Sequence, residues 1–174
     1  MCYVIISCQV FLALNMNSMS LDALDLKILT QLSRQARMTW SDLAGQLGVS
    51  PPAAADRVRK LEEAGVIQGY VTQLDAYSLG YDLTAFIAVT LEHPRHRDGF
   101  LAEVLTTPAI QECHHVAGDG DYLLKVRCQG TRGLERLITH QLKEIPGVAQ
   151  TRTTIVLSTV KETISVPLPG PEIG

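Results

Sequence analysis

Small and basic residues share the outward face of a helix that the sequence predicts after Ser50. Serine is typical of a helix N-cap, and Pro51 suits the first helical position because proline lacks only an N–H group that would find no partner there. The outward positions are Ser50, Pro52, Ala53, Arg57, Arg59 and Lys60. Guanidinium and ammonium groups bind phosphate, arginine also recognises guanine, and small residues let a helix approach base edges closely. This helix therefore has the chemistry of a DNA contact.

The cysteines and histidines do not form a metal-binding pattern. The four cysteines are Cys2, Cys8, Cys113 and Cys128. They contain no CxxC pair, which favours reduced thiols in a cytosolic protein. Cys113, His114 and His115 are adjacent, but neighbouring residues of a strand point to opposite faces and do not converge on one ion. We therefore expect no metal, no cofactor and no catalytic group.

The overall charge excludes a uniformly basic surface. The chain has 174 residues, 46% of them hydrophobic, and a net charge of -3. Residues 21–70 carry six Lys or Arg and six Asp or Glu, whereas the remainder carries nine basic and twelve acidic residues. Contact with a polyanion thus requires that the basic residues of the first segment gather on one face.

Residues 1–20 precede the first recognisable helix start. The apolar run from Val4 to Leu14 is too short to span a bilayer, and no Lys or Arg precedes it as in a secretory signal. Met16 and Met19 lie just before the helix start. We expect either a flexible extension or a natural start at Met16 or Met19, and a cytoplasmic protein without membrane contact.

Three short helices must position the basic face. Asp22 is typical of the N-cap of the first helix, Thr39 of the second, and Gly48 ends the second with a tight turn. The third begins at the Ser-Pro pair and stops at Gly65. Three helices with a tight turn before the third are typical of a helix-turn-helix domain, here residues 21–70. A protein-docking module or an ordinary solvated helix has the same pattern.

A second unit follows a linker over residues 71–83. Residues Val66 to Leu74 have a strand pattern interrupted by Gly69, as expected of a wing or linker strand. Further strands are predicted over Thr84–Leu91, Ile110–Ala117, Tyr122–Cys128 and Val148–Ser158, with helices marked by Phe100–Leu105 and Leu134–Ile145. This βαββαβ order predicts a ferredoxin-like domain over residues 84–166, an antiparallel sheet with both helices on one face. Residues 167–174 form a tail rich in proline and glycine.

The sequence also resembles a known family. The run LDALDLKILTQLSRQARMTWSDLAGQLGVSPPAAADRVRKLEEAGVIQGY resembles the N-terminal domain of the leucine-responsive/asparagine-regulator (Lrp/AsnC) family. The stretches IQECHHVAGDGDYLLKVR and LKEIPGVAQTRTTIVLSTVKE resemble its C-terminal domain. The resemblance implies an α+β protein: a winged helix-turn-helix, then a ferredoxin-like domain that dimerises through its sheet. It also implies assembly of dimers into octamers, and an amino acid bound between dimers.

The resemblance gives the loop at residues 118–122 the role of lining an effector pocket. The residues concerned are Gly118, Asp119, Gly120, Asp121 and Tyr122, with Thr151 and Thr153 adding hydroxyls from one face of the last strand. An aspartate can accept hydrogen bonds from the effector's ammonium group, and glycines expose backbone N–H groups to its carboxylate. Gly120 stands where relatives often have a larger residue. Glycine and aspartate also build ordinary hairpin turns, so a purely structural loop is the alternative.

These features predict a transcription regulator that binds double-stranded DNA and responds to an amino acid. One alternative is a metabolite-binding module without DNA affinity. Another is an enzyme, since some sirohaem decarboxylases resemble this two-domain architecture. The cations of the third helix and the lack of an evident basic cluster in the C-terminal half argue against an enzyme.

Overall fold

The computed structural model describes residues 20–168, which divide into two units. One contains the chain up to Thr72 together with the segment from Thr163, and the other contains residues 73–162. Within residues 20–168, no helix is long and apolar enough to cross a membrane. The expectations for residues 1–19 and for the tail from 169 lie outside the described residues.

The first unit contains the three predicted helices: α1 (Ala23–Arg34), α2 (Trp40–Leu47) and α3 (Pro51–Glu63). The side chain of Asp22 accepts hydrogen bonds from two N–H groups in the first turn of α1, and Asp25 completes a capping box. Thr39 caps α2. Gly48 ends α2 with φ at 70°, a left-handed conformation that glycine adopts without steric cost.

Apolar stripes of the three helices pack against each other. The buried residues of this core are Ile28, Leu29, Leu32, Leu43, Ala44, Ala54, Val58 and Leu61. Burial of each large aliphatic side chain contributes about 1.5–3 kcal/mol. Leu168 also packs on this cluster, so the final described residue belongs to the first unit. The core leaves the first turn of α3 at the surface.

The second unit has the predicted βαββαβ order. Its elements are β1 (Leu83–Leu91), α4 (Arg97–Thr106), β2 (Ile110–His115), β3 (Tyr122–Cys128), α5 (Gly130–His140) and β4 (Val148–Ile155). The strands form one sheet in the order β2-β3-β1-β4, and all three pairings are antiparallel. Phe100 and Val104 of α4 and Leu134 and Leu137 of α5 join a core with the inward residues of β1 and β3. The other face of the sheet carries no helix of this unit.

One predicted strand does not form, and three elements end earlier than predicted. No strand forms over Val66 to Leu74, where most side chains are exposed, because no neighbouring strand pairs with this segment. β2 ends at His115, since Val116 N–H then bonds to the carbonyl of Asp121 and closes the loop. β4 ends at Ile155 rather than Ser158. α5 ends at His140, although Leu142 and Ile145 still bury as their spacing predicted, from a short 3₁₀ turn and the residue after it.

Candidate DNA-binding and effector sites

The first turn of α3 is an exposed helix start without a carboxylate. Ser50, Pro52 and Ala53 are all exposed, as the sequence predicted. The hydroxyl of Ser50 makes no capping hydrogen bond, and no acidic residue lies in the first turn. The partial positive charge of the helix N-terminus is therefore unopposed there, and small side chains leave the backbone accessible.

Arg57 faces α1 instead of the solvent side of α3. Its Nη1 lies 2.6 Å from Asp22 Oδ2 and 2.8 Å from Asp25 Oδ1. Asp25 is only 4% exposed, so Arg57 is the partner of a buried carboxylate. The N–H of Asp25 and the guanidinium of Arg57 hold the pKa of Asp22 below its usual value. The structure thus pairs Arg57 with two carboxylates at the start of α1, although its side chain remains 36% exposed.

Arg59 and Lys60 are exposed, and they pair with acidic residues of the same helix. Arg59 binds Asp56 at 2.5 Å and Glu63 at 2.6 Å, and Lys60 binds Asp56 at 2.8 Å. The hydrogen bonds from Lys60 and Arg59 lower the pKa of Asp56. Exposed pairs of this kind contribute little to stability, so both cations can exchange a carboxylate for a phosphate at small cost.

Another cation is available near the start of α2, and the sequence analysis did not single it out. Arg37 lies in the turn between α1 and α2, is exposed, and has no ion pair within residues 20–168. Trp40, the first residue of α2, is also 48% exposed. The position of Arg37 in the sequence could have indicated a phosphate contact, because the first helix of a helix-turn-helix, here α2, crosses the DNA backbone.

The loop after β2 borders a cleft on the face of the sheet that lacks helices. The cavity has a volume of about 280 Å³. Its walls are Ala88 and Thr90 of β1, Gly118, Asp119 and Gly120 of the loop, and Gln150 and Arg152 of β4. Arg152 Nη1 lies 3.2 Å from Asp119 Oδ2, and both side chains are largely exposed. The cleft thus presents one carboxylate and one guanidinium to solvent.

The structure does not bring the other two loop residues to the cleft. Asp121 Oδ2 accepts a 2.7 Å hydrogen bond from Leu91 N–H, so its carboxylate secures the end of β1. Tyr122 is 3% exposed and stacks at a tilt against Phe100, with ring centroids 4.9 Å apart. Both residues support the loop from behind, and neither is among the residues that line the cleft.

Thr151 and Thr153 lie on the opposite face of the sheet from the cleft. Thr151 pairs with Val89 and Thr153 with Ile87, both fully buried residues of the helix-covered face. Directly paired residues of antiparallel strands share a face. The prediction that the two threonines share a face is therefore correct, but the face is the inner one. Gln150 and Arg152 occupy the cleft side of β4 instead.

Gly120 closes the loop onto β1 with a backbone conformation that L side chains rarely adopt. Its φ is 108°, and a Cβ there would lie 3.2 Å from the carbonyl oxygen of Val89. The same atom would lie 3.6 Å from Ala88 Cβ and from Thr90 Oγ1, two walls of the cleft. A larger residue would require the loop to shift and would fill the floor of the cleft.

The described cysteines are apolar packing residues. Cys128 is buried, and burial raises the pKa of Cys113 to about 11. No group of His, Cys, Asp and Glu within residues 20–168 has the geometry of a metal site. Cys2 and Cys8 lie outside the described residues.

Comparison with known proteins matches both units. The profile of the Lrp/AsnC ligand binding domain matches residues 84–166, and that of a winged helix-turn-helix DNA-binding domain matches residues 21–68. The leucine-responsive regulatory protein of Haemophilus influenzae is 39% identical over 146 residues, which cover 83% of this chain and 88% of the relative. The chain belongs to the Lrp/AsnC family.

Two solved structures extend the similarity to the fold. A transcriptional regulator of Neisseria meningitidis in complex with L-methionine has a TM-score of 0.81 at 30% identity and covers 85% of this chain and 97% of its own. AsnC of Escherichia coli has a TM-score of 0.79 at 30% identity. The match covers 84% of this chain and 98% of the AsnC chain. These relatives are regulators, which confirms the prediction of a regulator with a DNA-binding and a ligand-binding domain over that of an enzyme.

Proposed function

We propose that this member of the Lrp/AsnC family reads DNA with the first turn of α3 and changes its DNA binding when an amino acid enters the cleft beside Asp119. The observation that carries the proposal is the pairing of two sites in one chain. One is a helix start without acidic residues in a helix-turn-helix, and the other is a solvent-open cleft with one carboxylate and one guanidinium.

The DNA contact divides between bases and phosphates. Ser50, Pro52 and Ala53 are exposed and small enough for the helix start to enter the major groove. Arg37 precedes α2 and is placed in the chain to bind a backbone phosphate, which orients the domain without reading sequence. Arg59 and Lys60 add phosphate contacts when they release Asp56. We assign no DNA contact to Arg57 because its guanidinium pairs with the buried carboxylate of Asp25.

The effector contact uses the part of the predicted loop that faces the cleft. Asp119 is 90% exposed in its side chain, so its carboxylate is available to an ammonium group. Gly118 and Gly120 also line the cleft, and glycine backbone can approach the effector's carboxylate closely.

The protein works as a cytoplasmic homodimer or a larger assembly of dimers. One face of the ferredoxin-like sheet has no helix of its own unit over it, and Phe86 on that face is 36% exposed. A sheet with such a face is usually buried against another surface. A partner that packs on Phe86, which is not among the lining residues, leaves the cleft open to the effector. A dimer also supplies two copies of α3 for a two-fold symmetric DNA site.

The proposal is tested by selecting fragments of genomic DNA on the full-length protein and measuring their affinity with and without each of the twenty amino acids. We expect some fragments to bind at least about a thousandfold more tightly than random DNA, and at least one amino acid to change that affinity. Equal affinity for all DNA fragments would refute sequence-specific DNA binding. An affinity that no amino acid changes would refute the effector response. Light scattering at micromolar concentration that detects monomer alone would refute the dimer.

A further inference from the structure

We propose that the cleft selects an α-amino acid with an uncharged polar side chain over an apolar one, and that Arg152 binds the effector's α-carboxylate. This inference rests on the proposed effector role of the cleft. It differs from what the leucine-responsive relative's name and the L-methionine complex say of those proteins.

The charges of the cleft match the α-groups of an amino acid. Asp119 is the carboxylate among the lining residues and Arg152 is their cation, and the two atoms that pair them are 3.2 Å apart. Exposed ion pairs are weak, so a ligand can separate them at small cost. An ammonium group then pairs with Asp119 and a carboxylate with Arg152, which replaces one ion pair with two charge-assisted hydrogen bonds.

Within residues 20–168, the lining holds no further charge for the effector's side chain. An acidic side chain would need a second cation and a basic one a second carboxylate, and neither is among the lining residues. What remains is the Gln150 carboxamide, the Thr90 hydroxyl and the methyl group of Ala88. A carboxamide or hydroxyl on the effector satisfies both polar groups. A leucine side chain would desolvate them without replacing their hydrogen bonds with water.

Gly120 leaves the room that this side chain needs. Because a Cβ at residue 120 would meet both Ala88 and Thr90, a side chain there would occupy the cleft floor and cover these two residues. With glycine, Thr90 stays in the lining as a polar contact.

The test is calorimetry on the full chain with L-glutamine, L-asparagine, L-serine, L-leucine and L-methionine, together with L-glutamine amidated at its α-carboxylate. We expect the best neutral polar amino acid to bind at least about tenfold more tightly than leucine or methionine. Arg152→Gln should weaken its binding by about ten- to a hundredfold. The variant should bind the amidated ligand as the parent does, since the group that Arg152 recognises is already missing. Gln150→Leu should reduce the preference for the polar ligand.

The matched control is Arg136→Gln, which removes an exposed arginine of α5 away from the cleft and should leave all affinities unchanged. Tighter binding of leucine or methionine in the parent overturns the side-chain preference while the effector site stands. Equal loss of both glutamine forms in Arg152→Gln overturns the role of Arg152 in carboxylate binding. If none of the amino acids binds, the proposed effector function fails and this inference with it.

Discussion

Arg57 reaches from the middle of α3 to Asp25 at the start of α1, with 2.8 Å between Nη1 and Oδ1. The two residues are 32 positions apart in the chain, and Asp25 is buried among the helices. Asp25 also accepts a hydrogen bond from the backbone N–H of Asp22 through its other oxygen. One guanidinium therefore stabilises both the capping box of α1 and the packing of the helix whose first turn is proposed to read DNA.

Arg57→Ala should destabilise the first unit. The buried carboxylate of Asp25 would lose its charged partner, and leaving such a group unsatisfied costs about 1–3 kcal/mol. For a domain of this size the Tm should fall by about 4 °C or more, measured by thermal unfolding followed by circular dichroism. Arg59→Ala is the control, because Arg59 pairs only with exposed carboxylates, and its Tm should stay close to that of the parent. Similar stability of the two variants would contradict this role of Arg57.

Ala53→Glu should abolish most DNA binding without unfolding the protein. Ala53 is exposed in the first turn of α3, and a carboxylate there would face phosphate in the proposed complex. We expect affinity for a selected DNA fragment to fall at least about tenfold by fluorescence anisotropy. Ala102→Glu adds the same charge at an exposed position of α4 and should bind DNA as the parent does. Unchanged affinity in Ala53→Glu would show that another surface reads DNA.

Arg37→Ala should weaken binding to all DNA sequences by a similar factor. Arg37 has no ion pair within the described residues, so its cation is free for a phosphate. Loss of one phosphate contact should reduce the slope of log affinity against log salt by about 1. An unchanged slope would mean that Arg37 does not touch the backbone.

The sequence predicts caps and topology well because these depend on local residue types. Asp22, Thr39 and Gly48 act where their chemistry indicates, and the apolar spacing gives the βαββαβ order. The sequence wrongly predicts that Thr151 and Thr153 line the effector pocket. Alternation along a strand shows that two residues share a face of the sheet, but it does not show which face that is. Only the register with Val89 and Ile87 settles that question.

The same limit applies to charged residues. An arginine on a helix is outward by default, and the acid that turns Arg57 inward is 32 residues away. The ion pair between Arg152 and Asp119 could not be predicted from spacing, because it forms only when the loop folds back over β1. Contacts between distant positions are decided by tertiary packing, which residue spacing does not encode.

Asp119→Ala should weaken effector binding, whereas Asp121→Ala should lower stability. Asp119 is exposed and is proposed to bind the effector's ammonium group, so its loss should weaken effector binding by about ten- to a hundredfold with little change in Tm. Asp121 holds Leu91 N–H, so its loss should lower the Tm of the second unit. Calorimetry and thermal unfolding of both variants test the pair. If both variants keep the same Tm and lose the same effector affinity, Asp121 belongs to the binding site.

The second unit should lose stability in acid through a charge cluster on the sheet face that lacks helices. Lys125 binds Glu112 at 2.8 Å and also pairs with Glu162, which binds Arg127 at 2.6 Å. Lys125 first, and then His114, holds the pKa of Glu112 below its usual 4.5, and Lys125 first, together with Arg127, does the same for Glu162.

Because the pKa values in the folded protein are the lower ones, the stabilisation from both carboxylates is present above the unfolded value of 4.5. It is lost as the pH falls from there through the folded values. Urea unfolding between about pH 5 and about pH 3 should therefore show a free energy of unfolding that decreases less steeply in Glu162→Gln than in the parent. Glu103→Gln, at an exposed residue without an ion pair among the described residues, should keep the parent's slope. If Glu162→Gln also keeps it, Glu162 does not contribute to folding stability through this cluster.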